Sequence, residues 1–572
     1  MKKIRTIIIS ILLAISLLLS VVPASSAGMV AGDVNGDGRI NNRDLVSLQR
    51  YLNDWDVEIC RLSADVTGDG KINNHDLALL QRYLNEWDVV LKPGVCVQHT
   101  DDDADTLCDV CAQSVIVYVD FYGINDLHGK FSDTADQPGV DELTTYLKNA
   151  RRVNENALFL AAGDMWQGSS ESNLTYGQIL TDWMNELDFT AMAVGNHDYD
   201  WGEERLEANE GTAEFPFLAI NIYEKESNTR VSYCDASVMV DRGGVQIGII
   251  GAIGDCYSSI SSENTEDVYF KVGSELTSLV KAESNRLRQE GADFIVYVLH
   301  DGYGRSGNSV QSVSSSTIRS YYDTSLSDGY VDLVFEGHTH QGYRLKDEYG
   351  VYHLQNRGDN QGGVSHAAVA INSVTLQAEV RQVELVSTSV YQNIEDDPLV
   401  ETLLDKYADV IAKAEKVVGN NRTQRSSDTI CDKTAELYYR LGVDVWGEKY
   451  SIVLGGGYLN TRSPYKLAAG PVKYGDLQML LPFDNTIVLC SIQGKYLSSK
   501  FVNTTNANYH NYYGDYGNSV KNNIRQNATY YVVVDRYTAQ YASNRLTVVE
   551  EYDPTVFARD LLADYIASGG WS

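Results

Sequence analysis

Five short apolar runs of the sequence end at residues that can bind metal ions. The residues at these ends are Asp126, His128, Asp164, Asn196, His197, His300, His338 and His340. Carboxylates, imidazoles and an amide oxygen are donors that divalent transition metals accept in hydrolytic sites. Five of the ten histidines belong to these motifs, which favours a metal site over scattered structural histidines.

The donor types suit a pair of metal ions that lie ~3.5 to 4 Å apart. Such a pair shares a bridging carboxylate and a water molecule whose pKa the ions lower. The predicted ligands are Asp126, His128 and His340 for the first ion, Asn196, His300 and His338 for the second, and Asp164 as the bridge. His197 remains outside both sets, and we expect it to donate a proton or hydrogen bond to the reacting phosphoryl group. Such mixed ligands accept Mn, Zn, Fe or Co.

The elements that must position these residues are strands. From Ser114 onward, short apolar runs alternate with amphipathic stretches, which predicts an α/β fold. Sites in open α/β sheets form at the carboxyl ends of the strands, so we expect the five ends to converge in one crevice.

The motifs DLHG, GDMWQGS and GNHDYDWG resemble those of calcineurin-like metallophosphoesterases, in particular the secreted 5'-nucleotidase and 2',3'-cyclic phosphodiesterase family. The resemblance covers about residues 115 to 572. It implies a two-sheet sandwich flanked by helices and direct attack of a metal-bound water on phosphorus. It also implies catalytic roles for His197 and Asn196, with Asp200 as the carboxylate that orients His197.

The same resemblance implies an α/β C-terminal domain that binds the substrate. Phe483 in LPFDN matches an aromatic residue that stacks on a nucleobase, and Tyr537 falls where its partner would lie. Both could instead be core aromatics. Leu459 stands where this family often has Arg, and Arg462 is near enough to substitute for it. Sugar phosphates or other extracellular phosphates remain alternative substrates, and an inert, scaffold-bound binding module remains an alternative function.

A repeat with an offset of 32 residues precedes this region. Its oxygen-bearing side chains are Asp33, Asn35, Asp37 and Asp44 in the first copy and Asp65, Thr67, Asp69 and Asp76 in the second. This spacing predicts two Ca²⁺ loops, each followed by one helix, although an EF-hand has Glu at the last position. The repeat resembles a dockerin module, which implies a cohesin domain on a scaffold protein as the partner.

The segment that follows the repeat is rich in cysteine. It carries Cys96, His99, Cys108 and Cys111. These residues could bind zinc, or Cys108 could pair with Cys96 in a disulfide of an exported chain. Asp101, Asp103 and Asp105 could instead bind Ca²⁺.

Residues 1–27 combine a basic start, an apolar run and a small-residue cleavage site, which predicts a signal peptide and an extracellular product. We expect no transmembrane segment in the mature chain. The formal charge of -32 argues against a nucleic-acid polymer as partner. The predicted segments are 1–27 (signal), 31–90 (dockerin), 91–113 (linker), 114–390 (catalytic domain), 397–419 (linker helix) and 420–572 (C-terminal domain).

Overall fold

The structure is a computed structural model. It describes residues 30–94, 99–102, 104–108, 114–132, 139–306, 309–312, 330–347, 349–357, 363–462, 466–497, 509–512 and 524–571. The chain divides into two compact units. One comprises the described residues up to Val117 together with Ile371–Gln377, and the other comprises Tyr118–Ala370 together with Ala378–Ser572. Among the described residues, no helix is both long enough and apolar enough to cross a bilayer.

The helices are α1 (Asn42–Tyr51), α2 (Arg61–Ala64), α3 (Asn74–Leu84), α4 (Asp141–Val153), α5 (Ser170–Leu174), α6 (Gln178–Glu186), α7 (Glu203–Glu210), α8 (Ser274–Gln289), α9 (Pro398–Lys406), α10 (Ala408–Glu415), α11 (Ser427–Trp446), α12 (Tyr474–Leu480), α13 (Gly494–Tyr496), α14 (Arg536–Tyr541) and α15 (Ala558–Ala567). Short 3-10 turns span His197–Tyr199, Asp255–Ser259, Ser262–Thr265 and Thr388–Val390.

The strands are β1 (Ile116–Ile124), β2 (Leu158–Ala161), β3 (Ala191–Ala193), β4 (Phe217–Leu218), β5 (Ile222–Glu224), β6 (Ser237–Arg242), β7 (Val245–Ile253), β8 (Val268–Phe270), β9 (Phe294–His300), β10 (Tyr303–Ser306), β11 (Ser309–Ser312), β12 (Leu333–Glu336), β13 (Tyr343–Lys346), β14 (Tyr352–Gln355), β15 (Val364–Asn372), β16 (Ala378–Val386), β17 (Val417–Asn421), β18 (Ile452–Tyr458), β19 (Gly470–Lys473), β20 (Ile487–Gln493), β21 (Tyr509–Tyr512), β22 (Thr529–Asp535) and β23 (Leu546–Glu551).

The first unit contains the predicted duplicated loop and helix. Helices α1 and α3 each follow a loop and begin at a capping box, in which the Asn at the N-cap and the Asp three residues on satisfy backbone N–H groups reciprocally. One small core serves both copies, made of Val34, Leu48, Ala64, Val66 and Leu80. The prediction of one helix after each loop is confirmed.

Two six-stranded sheets form the catalytic part of the second unit. Their strand orders are β16-β15-β1-β2-β3-β4 and β13-β14-β12-β9-β7-β6. Strands β1 to β4 are mutually parallel, as are β7, β9, β12 and β14. The carboxyl ends of the parallel strands therefore share one edge in each sheet.

The two sheets pack against each other closely. A Cβ atom at Gly123 of β1 would lie only 2.3 Å from the ring of Phe335 on β12, so the backbone approaches the facing ring where a side chain would not fit. The rings of Phe121 and Phe294 stack across the same interface with centroids 5.7 Å apart. The predicted two-sheet sandwich is confirmed.

The C-terminal part has its own five-stranded sheet, in the order β21-β18-β22-β20-β23. The connection to it differs from the single helix predicted for residues 397–419. Helix α9 ends at Lys406, α10 ends at Glu415, and β17 begins at Val417. The catalytic and C-terminal parts belong to one compact unit.

Candidate active site

The five predicted strand ends meet at one place. Strands β1, β2 and β3 of one sheet and β9 and β12 of the other all terminate there. The side chains that they bring together are Asp126, His128, Asp164, Asn196, His300, His338 and His340, and all but His338 and His340 are at least nine-tenths buried. Buried carboxylates and imidazoles in this number require partners or metal ions to compensate their desolvation.

Asp126, His128 and His340 form the first group. The Asp126 Oδ1 atom lies 3.2 Å from His340 Nε2 and 4.0 Å from His128 Nε2. The Nε2 atoms of the two histidines are 3.1 Å apart. Three donor atoms this close together form a candidate ligand set for one cation.

Asn196, His300 and His338 form the second group. The Asn196 Oδ1 atom lies 3.2 Å from His300 Nε2 and 2.9 Å from His338 Nδ1. Asp164 lies between the two groups, because its Oδ2 atom is 3.2 Å from His300 Nε2 and 3.9 Å from His128 Nε2. A carboxylate in this position fits the bridging role.

Backbone carbonyls fix the orientation of two of the histidines. His128 Nδ1 is 3.1 Å from the Gln167 carbonyl oxygen, and His300 Nδ1 is 2.7 Å from that of Ala162. A ring nitrogen that donates to a carbonyl leaves the opposite nitrogen as the lone-pair donor. Both Nε2 atoms therefore face the cluster in the form that a metal ion needs.

The loops that carry the cluster have strained backbone conformations. The residues with a left-handed conformation are Asp126 (φ 51°), His128 (φ 51°), Asp164 (φ 53°), His338 (φ 72°) and His340 (φ 51°). For a non-glycine residue this conformation costs roughly 1–2 kcal/mol. The surrounding fold must compensate this cost, as is typical of functional sites.

Electrostatic interactions shift the protonation equilibria of the cluster. Burial opposes protonation of His300, but the carboxylates of Asp164 and Asp126 and the Ala162 carbonyl together outweigh it and raise the pKa of His300 to about 10. Burial and the charge of His300 lower the pKa of His338 to about 4. Two carboxylates, an amide and four imidazoles in one buried cluster are a suitable donor set for two divalent cations.

His197 has a different environment from the seven clustered residues. Its Nδ1 atom is 2.8 Å from Asp200 Oδ2, and a quarter of its side chain is exposed. Burial lowers the pKa of His197, but the carboxylates of Asp200 and Asp164 raise it above the ordinary value. Asp200 thus orients the imidazole ring and favours its protonated form, as expected for a proton donor.

Sequence reasoning assigned no role to Asp198, which lies beside His197. Its buried carboxylate accepts hydrogen bonds from the backbone N–H groups of Asp164, Met165 and Gly195, at 2.8–3.0 Å. Burial and the charge of Asp164 raise the pKa of Asp198 to about 7. Asp198 holds the loops after β2 and β3 together, and only its place in the GNHD motif hinted at this in the sequence.

Cys256 was also missed, because in the sequence it is one of several dispersed cysteines. Its Sγ atom lies within 4.8 Å of the ring nitrogens of His300 and His338. The thiol is buried and donates a hydrogen bond of 2.9 Å to the His300 carbonyl oxygen.

Two of the three predicted substrate residues, Phe483 and Tyr537, line a cavity of about 370 Å³, whereas Arg462 is not part of its lining. Its lining includes Asn196, His197 and His338 from the catalytic part, and Phe483 and Tyr537 from the C-terminal part. The Phe483 ring is 40% exposed, and its centroid is 5.8 Å from that of His197. Tyr537 packs near Tyr458, with ring centroids 6.3 Å apart.

Arg462 lies near the metal-type cluster. Its guanidinium donates a hydrogen bond to the side-chain oxygen of Gln167, whose backbone carbonyl orients His128. Burial is the main reason that the pKa of His128 lies well below its usual range, and the positive charge of Arg462 is the second. The structure therefore provides a positive charge beside the cluster.

The predicted calcium residues lie on the two loops of the first unit. Asp44 accepts hydrogen bonds from the N–H groups of Asn35 and Asn41, at 3.0 and 2.8 Å. In the second loop Asp76 accepts from Thr67 and Asn73, at 3.1 and 2.9 Å. The remaining loop residues, Asp33, Asp37, Asp65 and Asp69, accept hydrogen bonds from backbone N–H groups of their own loops.

The proposed zinc or disulfide residues of the linker are described only in part. His99 and Cys108 lie within the described residues, whereas Cys96, Cys111 and Asp103 lie outside them. Both linker hypotheses therefore remain predictions.

Comparisons with known proteins agree with this geometry. Residues 31–85 match the dockerin type I domain, and residues 120–342 match the calcineurin-like phosphoesterase family. An apyrase of Tabanus yao is 24% identical over 416 residues, which are 66% of this chain and 72% of the relative. Protein UshA of Yersinia enterocolitica is 25% identical over 416 residues, or 65% of this chain and 72% of the relative.

The fold is similar to that of a solved 5'-nucleotidase precursor from Thermus thermophilus. The TM-score is 0.60 at 18% sequence identity, and the match covers 79% of this chain and 96% of that one. At this identity the similarity supports the fold alone.

Proposed function

We propose a specific function for this chain, a hydrolase of phosphoric ester bonds whose residues 120–342 match the calcineurin-like phosphoesterase family and whose residues 31–85 match the dockerin type I domain. The proposed function is that of a dinuclear metal enzyme that releases phosphate from nucleotides while attached to a scaffold. The observation that carries this proposal is that one cavity is lined by His197 and His338 and also by Phe483 and Tyr537.

Seven residues would hold the two divalent ions. Asp126, His128 and His340 would bind the first, Asn196, His300 and His338 the second, and Asp164 both. When bound, such a pair supplies charge that stabilises the phosphoryl group and acidifies the water that attacks phosphorus. Mn, Zn, Fe and Co all suit these donors.

His197 would donate a proton to the leaving group, and Asp200 would orient His197 for this step. Since Asp200 accepts from His197 Nδ1, the Nε2 atom is free to carry the proton that faces the cavity. An imidazolium at this position can donate to a phosphoryl oxygen or to the departing ester oxygen. Asn196 would contribute both as a metal ligand and by its position next to His197.

Phe483 and Tyr537 would stack on a nucleobase, and Arg462 would contact the phosphate. Stacking tolerates purines and pyrimidines alike, because every base has a π-face. Guanidinium is well suited to phosphate, since it can donate two parallel hydrogen bonds. Hydrolysis of 2',3'-cyclic nucleotides is a further activity that the same site would support.

The dockerin domain would bind two Ca²⁺ ions and a cohesin domain of an extracellular scaffold. The eight loop residues named above would provide side-chain or water-mediated ligands. Attachment would place the enzyme outside the cell, in agreement with the predicted signal peptide at residues 1–27.

Metal analysis combined with a panel of substrates tests this proposal. The purified chain should contain about two equivalents of a transition metal beyond calcium and should hydrolyse AMP more efficiently than glucose 6-phosphate. An aryl phosphate reports on the metal site alone. Activity on sugar phosphates but not on nucleotides would favour the alternative phosphatase, and metal binding without any hydrolysis would favour the inert binding module.

A further inference from the structure

We propose that Asn264 is a positioning residue for the proton donor His197, and that helix α14 of the C-terminal part holds Asn264 in place. The inference rests on the proposed function, because it takes His197 as the group that protonates the leaving oxygen. It adds a chain of hydrogen bonds through which the C-terminal part sets the geometry of that step.

The 3-10 turn Ser262–Thr265 contacts the segment that carries the proton donor. The side-chain amide of Asn264 donates a hydrogen bond of 2.9 Å to the backbone carbonyl oxygen of Asp200. The backbone N–H of Asp200 donates to the carbonyl oxygen of His197 at 3.3 Å, and the Asp200 carboxylate lies 2.8 Å from His197 Nδ1. Asn264 therefore holds the backbone of the residue that orients His197.

The position of the His197 ring depends on these hydrogen bonds. A quarter of the side chain is exposed, so close packing does not fix the ring from every side. A proton donor must lie within hydrogen-bond reach of the oxygen that it protonates, and a displacement of about 1 Å can lower the rate about a hundredfold. A shift of the Asp200 backbone would displace the ring that its carboxylate holds.

The side chain of Gln540, in α14, holds the chain just before Asn264. Gln540 Oε1 accepts hydrogen bonds from the backbone N–H of Ser262 at 2.9 Å and from the hydroxyl of Ser261 at 3.4 Å. Gln540 Nε2 donates to the carbonyl oxygen of Ile260 at 3.4 Å. Both ends of one amide thus bind three successive residues of the catalytic part.

An ion pair strengthens the same connection. Arg536, the first residue of α14, pairs with Glu263 of the turn and with Glu551 of β23. The turn is therefore tied to the C-terminal sheet through Glu263, while the adjacent Asn264 is tied to the catalytic part through Asp200. Adjacent residues of one short turn thus join the two parts beside the proton donor.

The chemical step shows where a loss of position would be measured. The bond between phosphorus and the leaving oxygen breaks as the water oxygen forms its bond to phosphorus, and the proton of His197 neutralises the departing oxygen. A poor leaving group depends strongly on this proton, whereas a good leaving group departs as an anion without it. A misplaced His197 should therefore slow poor substrates selectively.

The test is kcat of the metal-loaded full chain for phenyl phosphate, which has a poor leaving group, and for 4-nitrophenyl phosphate, which has a good one. Asn264→Leu keeps the shape of the side chain but removes the donor. We expect kcat for phenyl phosphate to fall roughly ten- to a hundredfold and kcat for 4-nitrophenyl phosphate to fall less than about threefold, with the metal content unchanged. Asn149→Leu, at an exposed position of α4, is the matched control.

A second variant tests the contribution of α14. Gln540→Met keeps the length of the side chain and removes both polar atoms, so it should slow phenyl phosphate selectively as well. The double variant Asn264→Leu and Gln540→Met should lose no more activity than Asn264→Leu alone, because both residues act through the same hydrogen bond to Asp200. Gln392→Met changes an exposed glutamine and serves as control.

The outcomes separate this inference from the function on which it rests. Equal losses on both substrates in Asn264→Leu, or an unchanged kcat for phenyl phosphate, would overturn the inference and leave the proposed nucleotidase intact. Additive losses in the double variant would overturn the role of α14. A loss in His197→Ala that is equal on both substrates would instead overturn the assignment of His197 as proton donor, and with it the premise.

Discussion

Two neighbouring residues, Asn196 and His197, have different contacts at the candidate active site. The side-chain oxygen of Asn196 faces the ring nitrogens of His300 and His338, whereas His197 turns to Asp200. The backbone N–H of His197 donates to Asp164 Oδ1 at 2.8 Å, which fixes the turn that separates the two side chains. A metal ligand and a proton donor can thus be adjacent in the chain without competing for one ion.

This geometry predicts different consequences for two substitutions. Asp164→Asn should abolish nearly all activity and lower the metal content, because it removes the charge that both ions share. His197→Ala should keep both metal equivalents and lower kcat by roughly 10² to 10⁴. Elemental analysis and steady-state kinetics check both expectations.

His366→Ala is the matched control for His197→Ala. His366 also bonds to a carboxylate, with its Nε2 atom 2.8 Å from Asp120, but it does not line the cavity. Loss of a metal equivalent in His197→Ala would contradict its assignment as a non-ligand.

A second prediction at the scale of single residues concerns the stacking aromatic. Phe483→Ala should raise KM for AMP by roughly ten- to a hundredfold, from the loss of about 1 to 3 kcal/mol of stacking. The rate on an aryl phosphate should stay the same. Tyr118→Ala removes an aromatic that is 57% exposed on β1 and serves as control. Equal losses on both substrates would indicate misfolding rather than lost stacking.

At the scale of elements, α15 positions the loop that carries Phe483. Arg559, in the first turn of α15, donates to the carbonyl oxygens of Leu481, Pro482 and Phe483 at 3.1–3.4 Å and pairs with Asp484. A planar guanidinium with five N–H donors can make several such bonds at once, whereas an ammonium cannot reproduce their geometry.

Arg559→Lys should therefore loosen the loop while keeping the buried positive charge. We expect KM for AMP to rise roughly five- to tenfold, with kcat for an aryl phosphate unchanged. The surface variant Arg440→Lys is the control, since that side chain is 60% exposed and pairs with Glu436 one helical turn away. An unchanged KM for AMP would show that the loop keeps its conformation without Arg559.

At the scale of the whole molecule, binding and hydrolysis depend on separate cores. The dockerin repeat has its own core and its own two loops, and the candidate active site belongs to the second unit. Calcium binding would contribute directly to folding of a repeat this small.

The double variant Asp44→Ala and Asp76→Ala should consequently lose calcium-dependent binding to a panel of type I cohesins, while kcat/KM for AMP stays the same. Both carboxylates also form the capping boxes of α1 and α3. The equivalent double variant Asp56→Ala and Asp88→Ala changes exposed residues outside the loops and should bind normally. Cohesin binding that survives the first double variant would contradict the assignment of the loops.

The features that depend on local spacing could be predicted from the sequence alone. The two loops with the spacing of calcium ligands, the helices that follow them, and the strand ends with Asp126, Asp164 and His338 are short patterns whose physical causes lie within a few residues. Where an apolar run stops at a residue that can bind a metal ion, the sequence marks the end of a strand. This holds for any position of that strand in its sheet.

The features that join distant parts of the chain could be recognised only from the folded structure. Asp198 bonds to loops more than 30 residues away, and Arg559 bonds to a loop 75 residues or more before it. The acidic lining of the cavity combines Glu263 with Asp484 and Asp535 from another part of the chain. No local pattern encodes such pairs, because they arise from the packing of elements whose separation in the sequence is unrelated to their distance in space.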